Sequence, residues 1–183
     1  MILVYAGRRV DAADAEAARF PLASVDRVRN DVAQWLRRRQ PSPSAVVGSA
    51  ACGTDLLVLE EAGRLGIRRR VVLPFNRAAF RASSVVDRPG DWGPLFDAVI
   101  TTVAAAGDLI ELQFSPEDDT AYEQTNLEIF RQAEHLASSA GDAIEALVVW
   151  NGETRGSGDV TQAFLEEARR RQWPTFEIPT GAG

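Results

Sequence analysis

The chain contains no lysine: all 20 of its basic residues are arginine. That excludes Schiff-base chemistry and the lysine of an ATPase phosphate loop. A single cysteine, Cys52, excludes an intrachain disulfide and a cysteine-rich zinc site. A single histidine, His135, leaves a histidine-based metal site or a serine–histidine pair without its second member; its place late in a predicted helix makes it a surface residue. No apolar run approaches the ~20 residues that a membrane span requires. The apolar start, Met1–Tyr5, has no basic stretch before it of the kind a signal peptide carries. A reducing cytoplasm is the expected compartment. Positive charge is also in deficit, with 26 acidic side chains and a formal net charge of −6. General nucleic-acid binding depends on a positive field that releases counterions, so it is not expected, nor is a membrane partner. A local basic spot can still hold a small anion.

What is present is a regular alternation. Apolar residues make up 45% and charged residues 25% of the 183, a globular balance sufficient for one domain with a real core. Short β-rich runs at 2–6, 45–47, 70–73, 109–114, 146–150 and 175–178 alternate with helical patterns. Ser24 is placed to cap the first helix, whose Val25, Val28, Val32, Trp35 and Leu36 follow helical spacing. Segments 8–22 and 81–90 read as loops or flaps, and 179–183 as a frayed tail. Near-continuous apolar strands such as Ala146–Trp150 suit a parallel sheet buried on both faces. With right-handed crossovers the expectation is an α/β, Rossmann-like, doubly wound, mainly parallel sheet of about six strands, forming one domain over residues 1–183. The arginine runs 37–39 and 169–171 fall in the last turns of helices, where cations complement the dipole. Arg68–Arg70 reads as a connection between a helix and a strand.

Ligands of such sheets bind outside the carboxyl ends of the strands. The loop after the second strand, Gly48-Ser49-Ala50-Ala51-Cys52-Gly53-Thr54-Asp55, is small-residue rich and opens a helix. Its glycines allow close backbone approach, and free amides at a helix start attract a phosphate. A tight strand-to-helix connection with no ligand explains the same composition. Asp55 opposes an anion unless it caps the helix or accepts a ribose hydroxyl. The loop after the fifth strand, Asn151-Gly152-Glu153-Thr154-Arg155-Gly156-Ser157-Gly158-Asp159, again opens a helix, and a flexible surface loop is its alternative. After the first strand come Gly7, Arg8 and Arg9, where one guanidinium can grip a phosphate in bidentate fashion. Phe75 and Trp150 read as core before ligand platform. Cys52 at a helix start lacks a partner base.

The Gly48–Asp55 loop, followed by Glu60-Glu61-Ala62, resembles the helix-opening motif of the SLOG superfamily, which unites DprA/SMF proteins with LOG-type nucleotide hydrolases. The closer resemblance is to a bacterial subgroup associated with TIR, cyclase or TPR modules. It is carried in order by Arg19-Phe20-Pro21, the Gly48 loop, Val71–Phe75, Tyr122-Glu123 with Asn126, and Ala146–Trp150 with its glycine loop. The resemblance implies a Rossmann-like domain that binds nucleotides or nucleotide-derived signals. It would place ligand contacts on Gly7, Arg8, the Gly48–Asp55 loop, the Glu123/Asn126 helix face and the Gly156–Asp159 loop. The sequence departs from LOG hydrolases where they carry an Arg-Lys pair, here Tyr122–Asn126, and a glutamate in the fifth loop, here Gly158–Gln162.

The expectation is therefore a nucleotide-binding or nucleotide-sensing module. Its site residues are Gly7, Arg8, Gly48, Ser49, Ala50, Cys52, Gly53, Thr54, Asp55, Asn126, Asn151, Gly152, Gly156, Ser157, Gly158 and Asp159, with no metal. Binding is favoured over catalysis. An N-glycosidic hydrolase acting on a nucleoside monophosphate or NAD-like molecule is the alternative, with Glu123 or Asp159 as its carboxylate, and a ligand-free interaction scaffold is a third. The expected partner is a small phosphate-containing ligand; a second copy of the chain and an effector protein encoded nearby are further candidates.

Overall fold

The computed structural model describes residues 1–181. Six strands, β1 (Ile2–Gly7), β2 (Ala45–Gly48), β3 (Arg68–Leu73), β4 (Leu109–Glu111), β5 (Ile144–Trp150) and β6 (Thr175–Pro179), form one all-parallel sheet in the order β4-β3-β2-β1-β5-β6. Six α-helices connect them: α1 (Val25–Arg38), α2 (Thr54–Arg64), α3 (Arg77–Ser84), α4 (Gly93–Ala105), α5 (Ala121–Ala140) and α6 (Val160–Arg170). The chain steps outward from β1 to β4, then returns to lay β5 on the other side of β1. The direction of winding therefore reverses between β1 and β5.

Successive strand residues point to opposite faces, so the sheet has two cores. On one face Leu3, Tyr5, Val46, Val71, Leu73, Leu147 and Val149 pack beneath α1, α2, α3 and α4. On the other, Ile2, Val4, Val47, Val72, Ala146 and Val148 pack beneath α5 and α6, where Phe130 stacks on Phe164 at 4.8 Å. Among the described residues no helix is long and apolar enough to cross a membrane.

Five local readings are corrected. The Ser24 side chain makes no cap bond, because a 3-10 turn at Leu22–Ser24 runs straight into α1. Residues 81–84 belong to α3, which starts where Asn76 Oδ1 accepts the Ala79 amide at 2.9 Å and is anchored by buried Phe80. Arg68–Arg70 forms the first half of β3, since Asp108 takes both Arg68 and Arg70 in hydrogen bonds of 2.7–3.0 Å. β4 ends at Glu111, three residues short of the 109–114 run. Of the expected tail, Thr180 is fully buried and Arg27 donates to the carbonyls of Thr180 and Gly181; residues 182–183 lie outside the described residues.

Candidate functional site

The sheet's reversal point opens a crevice at the carboxyl end of β1, and the backbone there is tightly tied. Arg8 N donates to Val149 O at 2.9 Å, and Thr54 Oγ1 and Thr161 Oγ1 donate to Val149 O and Gly7 O at 3.3 Å. A Cβ on Gly7 would stand 2.3 Å from Val149 O and 2.5 Å from Thr54, so only glycine lets β1, β5 and α2 meet here. Above this junction lies a cavity of about 300 Å³. Its walls are the end of β1 and the following segment as far as Arg19, part of the glycine loop, α3, one face of α5, Arg155, and the start of α6. Tyr122 Oη and Ser84 Oγ bridge α5 and α3 at 2.9 Å across one wall.

The glycine loop contributes Ser49, Ala51 and Asp55 to this cavity, while Gly48, Ala50, Cys52, Gly53 and Thr54 do not line it. Three of its amides have internal acceptors: Ala51 N donates to Asp55 Oδ2 (3.1 Å), Cys52 N to Ser84 O (3.0 Å) and Thr54 N to Arg8 O (3.2 Å). Gly53 has φ +87°, and a Cβ there would meet Val10 N at 2.8 Å and Arg8 O at 3.0 Å. The close approach that this glycine permits is thus filled by the chain's own segment after β1. Gly48 has a similar reason: its missing Cβ would lie 2.4 Å from the Tyr5 ring.

Arg8 lines the cavity but is 3% exposed and fully engaged. Its guanidinium makes two bonds to Asp159, Nη1–Oδ1 at 2.7 Å and Nη2–Oδ2 at 2.8 Å, and others to Asn151 Oδ1 and Glu153 O. It also lies over the Trp150 ring at 5.4 Å. Asp159 in turn caps α6 by accepting from Thr161 N and Gln162 N, and accepts from Arg155 N. Burial pushes its carboxyl upward, but the Arg8 bonds and the backbone amides outweigh burial and bring it down to about 2. This pair fastens the fifth loop to the end of β1.

Asp55 is the opposite case. It is 8% exposed, Oδ2 accepts one amide, and burial raises its carboxyl to about 7 against the lowering effects of the Ala51 amide and Arg9. It faces the cavity as a carboxyl near half-ionisation at neutral pH.

Among the other expected site residues, Asn126 lines the cavity and donates through Nδ2 to Val160 O at 3.0 Å, joining α5 to α6. Gly156, Ser157, Gly158, Asp159 and Glu123 border a separate shallow depression instead, and Asn151 and Gly152 line neither. The cavity is also lined by Arg19, Arg88, Tyr5, Phe80, Thr125 and Thr161, which were not among the expected site residues, by Arg155, which had no assigned role, and by Arg9, read from sequence as either a phosphate grip or a surface charge. Arg19-Phe20-Pro21 and Arg155 did stand inside quoted motifs, which was the available signal; nothing local marks Arg88. Among the described residues no group of three or more His, Cys, Asp or Glu side chains is placed to hold a metal ion. Comparison with family models, curated proteins and solved structures finds no match to this chain.

Proposed function

We propose that the chain binds a nucleotide or nucleotide-derived ligand in the cavity beside β1. The observation that carries this reading is the cavity's place, at the carboxyl edge where the winding of a parallel sheet reverses, which is where open α/β sheets bind ligands. Its volume, about 300 Å³, is at the lower end of the range for small-molecule sites and suits one mononucleotide-sized unit. The ordered motifs that resemble the SLOG superfamily support the same ligand class. The glycine loop, three of whose amides are internally bonded, contributes Ser49, Ala51 and Asp55 to the cavity wall, and Asn126 and Thr125 offer polar groups to a base or ribose.

The hydrolase alternative lacks support from its two nominated carboxylates. Glu123 lies outside the cavity and Asp159 has all its bonding capacity taken by Arg8 and three amides. Isothermal calorimetry against a panel of nucleoside mono-, di- and triphosphates, dinucleotides and cyclic nucleotides tests the proposal. Saturable binding is expected, lost in an Ala17→Trp variant, because Ala17 is exposed yet lines the cavity and an indole there fills its mouth. Absence of binding to every member of the panel refutes it.

A further inference from the structure

The cations that line this cavity are arginine side chains. Five guanidiniums reach its wall: Arg8, Arg9, Arg19, Arg88 and Arg155. Arg8 is neutralised by Asp159, and one carboxylate, Asp87, serves both Arg9 and Arg88, the latter at 3.4 Å. Arg155 lies 3.9 Å from an Asp159 oxygen already bonded to Arg8. For Arg19, no carboxylate among the described residues comes within ion-pair distance. Burial together with repulsion from Arg8, Arg19 and Arg88 makes Arg155 easier to deprotonate, which marks these cations as electrostatic neighbours. The two acids that line the cavity offset part of this charge. Asp11 is turned to the backbone, its Oδ2 accepting from Arg19 N and Phe20 N at 3.0 Å, and Asp55 is the carboxyl already described.

A chain of net charge −6 thus concentrates surplus positive charge in one cavity. Two of these guanidiniums also keep a buried donor without an acceptor, the Nε of Arg9 and the Nε of Arg19. Both Nε atoms are covered by protein, so the outer Nη groups are the donors that a ligand oxygen can reach. Arg19 is built for this. Its amide is fixed to Asp11 and its carbonyl accepts from Thr180 Oγ1, so the backbone is held while the side chain stays uncommitted.

We infer that Arg19, Arg9, Arg88 and Arg155 form an arginine clamp for a terminal phosphomonoester, the dianionic end of a nucleoside monophosphate. This rests on the nucleotide-binding reading above. A terminal phosphate offers three acceptor oxygens and nearly two charges, enough to engage several forked donors together; a phosphodiester offers two such oxygens and one charge.

The test is calorimetry with the adenosine, guanosine, cytidine and uridine 5′-monophosphates, the matching nucleosides, the 3′,5′-cyclic monophosphates and inorganic phosphate. It uses the intact chain and its Arg19→Gln and Arg88→Gln variants, each checked by circular dichroism for the native melt. At least one 5′-monophosphate is expected to bind tenfold or more tightly than its nucleoside and its cyclic form. Arg19→Gln should weaken it about tenfold or more, and added salt should weaken it further. Equal affinity for nucleoside and monophosphate, or unchanged affinity in both folded variants, overturns the clamp and leaves nucleotide binding standing. Inorganic phosphate bound by the intact chain and lost in Arg19→Gln, with no nucleotide bound, supports the clamp and removes the nucleotide reading. Failure of every probe removes both.

Discussion

Replacing Asp55 by asparagine should make the protein more stable at neutral pH, and by an amount that depends on pH. In the folded chain burial raises this carboxyl from 3.8 to about 7, outweighing the Ala51 amide and the Arg9 charge that favour ionisation. Burial and the Asp55 charge raise the Tyr5 hydroxyl well above its ordinary value, so it stays neutral. The unfolded carboxyl ionises near 3.8, so between about pH 4 and pH 7 the unfolded chain binds fewer protons than the folded one. Stability from this group is therefore full below the unfolded value, falls as pH rises, and levels off above about 7. Each tenfold difference in proton affinity is worth about 1.4 kcal/mol, so the whole effect is on the order of 4 kcal/mol. Asparagine does not ionise, and its Oδ1 can still accept the Ala51 amide at the α2 start. Its buried NH₂ adds a constant offset without a pH slope. Urea unfolding of both proteins at intervals from about pH 4 to pH 8.5 reads the difference directly, because every other titrating group cancels between them. The variant's advantage should grow through pH 5 to 7 and then hold. A difference that is flat with pH refutes the assignment of Asp55 as a buried carboxyl facing the cavity.

Two further outcomes follow from the same junction. Arg8→Met should cost about 3–5 kcal/mol in urea unfolding, because it leaves the Asp159 carboxylate buried and unpaired. With Asp159 held at about 2, the pair's stabilisation is present above the unfolded value near 3.8 and is lost as pH falls towards 2; the acid limb of the stability profile should shrink in the variant. Gly53→Ala should cost about 1–3 kcal/mol and lower the thermal midpoint, since the new Cβ meets Val10 N at 2.8 Å at a φ of +87°.

Much of the fold could be read along the chain because the physics that sets it is local and periodic. Apolar runs at Ile2–Ala6, Val71–Leu73 and Ala146–Trp150 need burial on both faces, and alternation with amphipathic helices leaves a parallel sheet as the arrangement that supplies it. One misread element was decided by a partner distant in sequence. Arg68 and Arg70 enter a strand because Asp108 neutralises them, and nothing near residue 68 announces that.

The site divides along the same line. The order of residues along the chain already shows two glycine-containing loops opening helices at one sheet edge, Arg8, Asp55 and Asn126 at that edge, and basic groups that are arginine and never lysine. Which of these face open space depends on packing between distant parts of the chain. Two amides of the Gly48–Asp55 loop, Cys52 N and Thr54 N, are taken by the Ser84 and Arg8 carbonyls, and Arg8 is withdrawn by Asp159, 151 residues away. The cavity's cationic lining is assembled from Arg9, Arg19, Arg88 and Arg155, on separate stretches of chain. Charge adds across space irrespective of position in the chain, so a chain acidic overall carries a basic cavity that its composition does not reveal.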